Sequence, residues 1–360
     1  MVRLPRTVSA ALRVPLAAMA LLTITGIAAD AQQIQNITRQ QQQVQTAATA
    51  NAAPIVTRPA APVTAEHTSH LVAEGNSKLL CEAAPDRVFV RHDLGTACIA
   101  YHATAPRAGN SLAVIYFEGD VPVADAQKPQ YAQKYLTNMR RVFAHLAERH
   151  GVRFVFIARP GLFGSSGNHA SRRSAGEMLT MNAAVDAVKA RLQLTEIVLA
   201  GQSGGSTVGA ALLTLGRRDV SCAVLGSGLL SVVEIEYAHR VRERLPDIRP
   251  ALLQVLLFDP TDRLDWIERR QGRRIFVLGD PTDTRTPFAQ QRRFADRVRA
   301  LGHHATAIEV TGEGEMMHGV AHHTLPAAAL CARGAEDAAI QQAVEPRQRP
   351  TGRTVASQAR

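Results

Sequence analysis

From residue 86 to residue 332 the chain alternates short apolar runs with longer amphipathic segments, and this alternation restricts the folds that it can adopt. Each short run has the length of a β-strand and is bounded by polar or glycine-containing residues. The predicted strands cover residues 86–92, 97–103, 111–119, 152–159, 196–201, 222–227, 273–280 and 304–311. Strands that are apolar along nearly their whole length, with helices between them, indicate a mostly parallel sheet covered by helices on both faces.

Segments of helical length lie between most of the later strands. They cover residues 125–150, 172–193, 204–217, 287–301 and 318–332. Only a short loop separates the first two strands, which are therefore predicted to form an antiparallel edge of the sheet. No repeat with a period of about 20 to 50 residues occurs. The predicted fold class is α/β.

A glycine-rich turn follows the fifth predicted strand. Residues 201–205, GQSGG, fit the pattern G-x-S-x-G, and the helical segment GSTVGAALLTL follows. Glycines two positions before and after Ser203 allow the strained strand-to-helix turn that exposes a serine hydroxyl above a sheet. The bare pattern is weak, but its strand-turn-helix context makes Ser203 a candidate nucleophile.

A serine hydroxyl needs a base to take its proton, commonly a histidine that is oriented by an acid. Asp283, in the loop DPTDTRTPF after the seventh strand, and His318, in the loop EGEMMHGV after the eighth, follow Ser203 in the order Ser, Asp, His. Asp280 is the alternative acid. It lies at the end of its strand, whereas Asp283 reaches into the loop where the acid is expected, so Asp283 is favoured.

These residues together resemble the α/β-hydrolase fold, over about residues 85–340. ARPGLFGSSG (158–167) is similar to the family's loop after strand four, and VIYFEGD (114–120) is similar to strand three leading into the oxyanion loop. Residues 279–302, followed by His-Gly-Val, most resemble the prolyl-oligopeptidase-type and related esterase branch, although no propeller precedes the domain. The resemblance implies a serine hydrolase.

Such a hydrolase binds an oxyanion with two backbone amides. Gly204, at the start of the helix that follows Ser203, is expected to provide one of them. The second is expected from Asp120, with Gly119 as the alternative. The family often has His-Gly where this chain has Glu118 and Gly119, which leaves the choice of the second amide open.

Residues 229–271 are too many for a single connection in a compact domain, and they have helical periodicity. They are predicted to form a small helical cap over the site. Its apolar residues and Trp266 are candidates for an acyl pocket, although burial against the main domain explains them equally well. Arg159 and Ser166 are predicted to have structural roles in a turn rather than to contact substrate.

Both ends of the chain are predicted to lie outside the folded domain, residues 67–344. Residues 1–31 have the basic start, apolar run and small-x-small site of a cleaved signal peptide. The apolar run, residues 14–29, is shorter than the about 20 residues of a membrane span. Residues 32–66, rich in Gln, Ala and Pro, and the basic residues 345–360 are predicted to be disordered.

Four cysteines would follow a signal peptide into an oxidising compartment, where disulfides form. Cys81 and Cys98 are predicted to pair, because the stretch that contains them resembles two short strands joined by a turn. Cys222 and Cys331 would then pair with each other, with buried free thiols as the alternative. No Cys/His spacing suggests zinc, so no metal and no cofactor is expected.

The charge and aromatic content argue against nucleic-acid binding. The formal net charge is +10, part of it in the chain ends, and only 4% of the residues are aromatic. No basic patch alternates with aromatic residues. The expected partner is a small-molecule ester or a peptide, as the order of Ser203, Asp283 and His318 indicates. No stable membrane insertion is expected, and the sequence does not determine the oligomeric state.

The sequence thus predicts a periplasmic or secreted serine hydrolase that cleaves a carboxylic ester, or an amide, through an acyl-enzyme intermediate. A serine peptidase or an acyltransferase would use the same three side chains. A non-catalytic binding protein on a hydrolase scaffold is the remaining alternative. The intact order Ser203, Asp283 and His318 argues against it.

Overall fold

One sheet connects the strands that the structure describes. The computed structural model describes residues 77–106, 111–122, 125, 128–246 and 248–344. The strands in these ranges are β1 (Arg87–His92), β2 (Gly95–Ala103), β3 (Leu112–Phe117), β4 (Arg153–Ile157), β5 (Glu196–Gln202), β6 (Val220–Gly226), β7 (Arg274–Gly279) and β8 (His304–Glu309). Each of them agrees with a predicted strand to within about two residues at either end.

The strand order is β1-β2-β4-β3-β5-β6-β7-β8. β2 pairs antiparallel with β1 and with β4, and every other neighbouring pair is parallel. The predicted antiparallel edge is therefore confirmed. A mostly parallel sheet with this order is the α/β-hydrolase fold that the resemblance in sequence implied.

Helices cover both faces of the sheet. The α-helices are α1 (Pro129–His150), α2 (Ala175–Leu192), α3 (Gly204–Thr214), α4 (Val232–Arg242), α5 (Pro250–Leu256), α6 (Phe288–Ala300), α7 (Ala321–Ala332) and α8 (Asp337–Val344). Two 3₁₀ helices cover His169–Ser171 and Pro260–Trp266. α2, α3 and α6 pack on one face, and α1, α7 and α8 pack on the other. The predicted fold class is confirmed, although α8 was not predicted.

β5, inside the sheet, shows how one apolar run contributes to both faces. Ile197 and Leu199 belong to the core on the α2 and α3 side, and Val198 and Ala200 belong to the core on the α1 and α7 side. Successive side chains of a strand point to opposite faces, so a strand that is buried on both sides is apolar between its ends. α3, which follows β5, is buried at every position.

Two disulfides are present, one between cysteines close in sequence and one between cysteines far apart. One links Cys81 to Cys98, with 5.6 Å between their Cα atoms, and the other links Cys222 on β6 to Cys331 on α7. Both predicted pairings are present, and the alternative of two free thiols is wrong. Cys81 lies in a helical turn before β1, outside the predicted strand 86–92.

Between β6 and β7 the chain forms α4, α5 and the 3₁₀ helix Pro260–Trp266. The Val233 amide donates to Asp259 Oδ2 at 2.9 Å, which joins the start of α4 to the start of the 3₁₀ helix. That 3₁₀ helix packs on α3. The helical content of residues 229–271 agrees with the periodicity, and the role of these helices as a cap stays a prediction.

The predicted signal peptide, leader and basic tail (1–31, 32–66 and 345–360) lie outside the described residues, as do residues 67–76 of the predicted domain. All described residues belong to one structural unit, residues 63–360. Within the described ranges, no helix has both the length and the apolar character that a membrane crossing requires.

Candidate active site

Ser203 lies in the sharp turn between β5 and α3. Its backbone has φ 54° and ψ −120°, a conformation that residues with a side chain rarely adopt. The turn is tight, because a Cβ on Gly201 would lie 2.5 Å from the carbonyl carbon of Gly205. The Ser203 amide donates to the Gly226 carbonyl at 2.8 Å and so ties the turn to β6. The strand-turn-helix context expected around Ser203 is present.

The structure brings Ser203, His318 and Asp283 together. His318 Nε2 lies 2.8 Å from Ser203 Oγ, and His318 Nδ1 lies 2.8 Å from Asp283 Oδ2. These hydrogen-bond distances form one continuous series from carboxylate to hydroxyl. The Asp283 side chain has no exposed surface, whereas 15% of the His318 side chain is exposed. The acid end of the series is therefore shielded from water, and the histidine is accessible.

Three further hydrogen bonds fix the Asp283 carboxylate. Its Oδ1 accepts from the amides of Arg285 and Thr286 at 2.8 and 2.9 Å. Its Oδ2 accepts from the Thr286 hydroxyl at 2.9 Å as well as facing His318. A carboxylate that is held at both oxygens presents a fixed acceptor to the imidazole.

Asp280, the alternative acid, joins two loops instead. Its Oδ1 accepts from the amide and the hydroxyl of Thr282 at 2.7 and 2.6 Å. Its Oδ2 accepts from the Gly312 amide at 2.7 Å, across to the loop after β8. Asp280 thus ties the loop after β7 to the loop after β8, whereas the contact with His318 is made by Asp283.

Gln202, the residue before Ser203, holds the loop that carries His318. Its Nε2 donates to the His318 carbonyl at 2.8 Å, and its Oε1 accepts from the Val320 amide at 3.0 Å. Met317, on the other side of the histidine, has φ 52°. Sequence reasoning missed the role of Gln202, because G-x-S-x-G sets no residue type there and its partners lie 116 and 118 residues away.

Three consecutive amides follow β3 close to the candidate nucleophile. A Cβ on Gly119 would lie 3.2 Å from the Cβ of the serine. The Gly119 amide donates to Glu118 Oε1 at 2.8 Å, and the Val121 amide donates to His169 Nε2 at 3.3 Å. No described group accepts from the amide of Asp120, which lies between them. Of these three amides, the geometry favours Asp120 as the donor to a ligand.

The Gly204 amide is the other expected donor. It lies at the first position of α3, where free amides and the helix dipole favour negative charge. A Cβ on Gly204 would lie 2.2 Å from Asp120 Oδ1, so the absence of a side chain lets Asp120 approach the turn. The two residues expected to bind an oxyanion are thus neighbours in space.

Glu118 stands where the family often has histidine, and its carboxylate has three donors. Its Oε2 accepts from the hydroxyls of Tyr116, at 3.1 Å, and of Tyr135, and its Oε1 accepts from the Gly119 amide. Burial and the nearby Glu118 charge raise the pKa of both tyrosines well above the usual value, so the phenols remain protonated donors. The Gly119 amide therefore donates to the Glu118 side chain and is not available to a ligand.

A cluster of charged side chains surrounds the Asp120 carboxylate. Arg159 Nη1 lies 2.8 Å from Oδ1, and Arg172 and Arg173 contact Oδ2. Arg159 Nε also donates to Glu177 Oε1 at 2.8 Å, and the Arg159 side chain has no exposed surface. Burial alone would raise the pKa of Asp120, but the arginines outweigh it and hold this pKa well below its usual value. The sequence did not predict this cluster.

The loop after β4 makes structural contacts. Ser166 Oγ accepts from the Cys98 amide, and the Ser166 amide donates to the Cys98 carbonyl, both at 2.8 Å. Burial, and then the nearby charge of Arg159, lower the pKa of His169 to about 4. His169 is therefore neutral at pH 7, and its Nε2 can accept from the Val121 amide. Arg159 and Ser166 both have the structural contacts that were expected of them.

A cavity of about 690 Å³ lies between α1 and α7, next to Glu118. Much of its lining is apolar and includes Met139, Leu146 and Leu325. His322, four residues after the histidine of the site, lies at its border. The cavity is large enough for an apolar group of a small molecule.

Proton transfer is the chemistry that the described side chains of this site support. A hydroxyl, an imidazole and a carboxylate follow one another at 2.8 Å intervals. His318 can take the proton of Ser203 while Asp283 stabilises the imidazolium. Among the described residues, no three His, Cys, Asp or Glu side chains are grouped so that they could hold a metal ion.

Solved structures similar to this chain include two esterases and a peptidase. The esterase Pf2001 of Pyrococcus furiosus matches 62% of this chain and 80% of its own, with 15% identity and a TM-score of 0.45. Est1E of Butyrivibrio proteoclasticus, solved with ferulic acid bound, matches 71% and 96%, with 14% identity and a TM-score of 0.47. The acylaminoacyl peptidase of Pyrococcus horikoshii matches 62% of this chain but 36% of its own, with 14% identity and a TM-score of 0.43. No protein-family model and no curated protein matches the chain.

Proposed function

We propose that the chain is an exported serine hydrolase that cleaves carboxylic esters in preference to amides. The observation that carries the proposal is the hydrogen-bonded series Ser203, His318 and Asp283, with the serine in a strained turn between a strand and a helix. Strain at a residue that also contacts a base is typical of an activated nucleophile. Esters are preferred because the sequence contains no pattern for binding an amine leaving group.

The reaction has two halves that use the same side chains. Ser203 Oγ attacks the carbonyl carbon while His318 Nε2 takes its proton, and Asp283 stabilises the imidazolium through Nδ1–H. His318 then gives the proton to the leaving alcohol as the tetrahedral intermediate collapses to an acyl-enzyme. Water attacks the acyl carbon while His318 takes its proton, and His318 gives this proton to Ser203 Oγ as the bond to the acyl group breaks and the acid leaves.

The amides of Gly204 and Asp120 are proposed to bind the oxyanion. Their support is that they belong to neighbouring residues, that one begins a helix, and that no described group accepts from the Asp120 amide. Fixed donors aimed at the developing charge lower the barrier because they need no reorganisation during the reaction. Gly119 is not proposed, because Glu118 occupies its amide.

We place an apolar part of the substrate in the cavity between α1 and α7. Its apolar lining and its position next to Glu118, one residue from Gly119, support this placement. The helices of residues 229–271 are proposed to cap the other side of the site. Glu236 on α4 contacts Arg173, which in turn contacts Asp120, so this segment reaches the oxyanion loop.

Replacement of the nucleophile tests the proposal. Ser203→Ala should abolish labelling by a fluorophosphonate probe and lower the hydrolysis of a 4-nitrophenyl ester on the order of 10⁴-fold or more. Ser221→Ala is the matched control, because Ser221 Oγ donates to the Ile197 carbonyl at the other end of β6. This variant should retain both labelling and hydrolysis. Undiminished labelling of Ser203→Ala would contradict the assignment. Transfer of the acyl group to an added alcohol in place of hydrolysis would indicate an acyltransferase.

Export is supported by the two disulfides, which form and persist in oxidising compartments. The intact mass of protein purified from its native compartment should correspond to a chain that begins at Gln32, with no thiol open to alkylation before reduction. Retention of residues 1–31, or alkylation of the cysteines without a reductant, would contradict export.

A further inference from the structure

The side chain of Asp120 turns toward the serine turn rather than toward solvent. Only 8% of it is exposed, and its Oδ1 lies 2.2 Å from the position that a Cβ on Gly204 would take. The backbone amide of the same residue is the proposed second oxyanion donor. A fixed carboxylate two bonds from the Cα restricts where that amide can point.

Arg159 contacts the residues on both sides of Gly119, the backbone of Glu118 and the side chain of Asp120. Its Nη1 donates to Asp120 Oδ1 at 2.8 Å and to the Glu118 carbonyl at 3.4 Å. Its Nε donates to Glu177 Oε1 at 2.8 Å, so the guanidinium is itself held from a second direction. One fully buried side chain thus connects the oxyanion loop to α2.

We infer that the Asp120 carboxylate, Arg159 and Arg173 form a positioning cluster that holds the Asp120 amide in place for the oxyanion. This inference rests on the proposed function and names the side chains that keep its oxyanion site in shape. Within the described ranges, the Asp120 amide has no acceptor of its own, so its position depends on its side chain and its neighbours. A donor displaced by about 1 Å can cost about 10²-fold in rate.

The arginines also offset a charge that would oppose the reaction. A carboxylate beside a developing oxyanion repels it, and the repulsion is strong where water is excluded. Arg159 contacts one oxygen of Asp120, and Arg172 and Arg173 contact the other. The cluster therefore uses the carboxylate as an anchor while the arginines reduce its field at the reacting atoms.

Asp120→Asn separates anchoring from charge. The variant keeps the backbone amide and the shape of the side chain but loses the negative charge, and loss of that charge alone would speed the reaction. We expect kcat for 4-nitrophenyl acetate to fall about 10- to 100-fold, with KM changed by less than about threefold. The affinity for a trifluoromethyl ketone, which forms a tetrahedral adduct on the serine, should fall by the same factor.

Asp219→Asn is the matched control. Asp219 accepts from Arg217 Nε at 2.9 Å and also contacts Lys189, so its replacement likewise removes a carboxylate from two cations. It directly precedes β6, at the opposite end of the strand from the serine turn. We expect this variant to have a lower melting temperature and an unchanged kcat.

The kinetics of these variants and their affinity for the ketone decide the inference. Equal kcat in Asp120→Asn and Asp219→Asn, or a fall in kcat without a matching loss of affinity for the ketone, would overturn it.

If Asp120→Asn does not fold, Arg173→Gln, which keeps the pair of Asp120 and Arg159, should reduce both kcat and the affinity for the ketone, and Arg173→Lys should restore part of the loss. A wild-type protein that neither hydrolyses the ester nor reacts at Ser203 contradicts the proposed function, whereas an active protein insensitive to Asp120→Asn contradicts this inference alone.

Discussion

At the scale of single residues, two aspartates in one loop have different partners. Asp280 and Asp283 are both buried, and each accepts from at least one amide and from a hydroxyl of the same loop. Asp280 also reaches the amide of Gly312, and Asp283 also reaches the ring of His318. Residue type and burial therefore do not distinguish them, and the contact with the imidazole does.

Exchange of each carboxylate for an amide separates these roles. Asp283→Asn should lower kcat by about 10³- to 10⁴-fold, because an amide in its place favours the wrong tautomer of His318. Asp280→Asn should mainly lower the melting temperature, because the Gly312 amide loses a charged acceptor. Steady-state kinetics and thermal unfolding of both variants check this expectation. The reverse ranking of kcat would assign the acid to Asp280.

At the scale of elements, the proposed nucleophile and the proposed base follow different strands, and Gln202 contacts the loop that carries the base. The serine turn follows β5, and His318 lies in the loop between β8 and α7. The two hydrogen bonds of Gln202 span that loop on both sides of Gly319. The distance from His318 Nε2 to Ser203 Oγ therefore depends on Gln202, the last residue of β5.

Gln202→Met tests this dependence. Methionine has a similar length but makes neither hydrogen bond, so kcat should fall about tenfold as the histidine loop loses its fixed position. The free energy of unfolding should also fall by about 1–3 kcal/mol, because the amide of Val320 and the carbonyl of His318 lose their partner. Gln254→Met, at an exposed position of α5, should change neither quantity. An unchanged kcat in Gln202→Met would show that the loop between β8 and α7 keeps its position without the hydrogen bonds of Gln202.

The elements show where sequence reasoning succeeds and where it stops. The strands could be predicted because burial makes most of their residues apolar, and Ser203 could be found because its turn needs glycines at fixed spacing. α8 was missed because only Ile340 and Val344 of it are buried, which is too few for a helical period. The cluster around Asp120 was missed because its members come from the loop after β3, the loop after β4 and the start of α2. These segments are distant in sequence and meet only in the folded chain.

At the scale of the whole molecule, the two disulfides enclose very different lengths of chain. Their cysteines are 17 residues apart in one case and 109 in the other. A cross-link stabilises chiefly by restricting the unfolded chain in the entropic model, and the longer loop is the more restricted. The model gives about 3 kcal/mol for the bond of Cys81 and Cys98 and about 5 kcal/mol for that of Cys222 and Cys331.

Removal of each disulfide should therefore have unequal effects. The double variant Cys222→Ala/Cys331→Ala should lose more free energy of unfolding in urea than Cys81→Ala/Cys98→Ala does. Neither bond contacts the side chains of the site, so kcat at 25 °C should stay close to that of the wild type in both variants. An equal loss, or a larger loss from the shorter loop, would show that strain or residual structure outweighs chain entropy here.

α3, the helix that begins directly after Ser203, is buried at every position, with the sheet on one side and the 3₁₀ helix Pro260–Trp266 on another. A helix with no face toward solvent has few ways to open locally, so we expect its amide protons to exchange with water only when the domain opens as a whole. His318 lies on a loop, where partial opening needs less free energy. Warming should thus separate the imidazole from the hydroxyl before the hydroxyl itself moves. The oxygen proposed to react and the amides expected to exchange most slowly thus belong to the same stretch of chain.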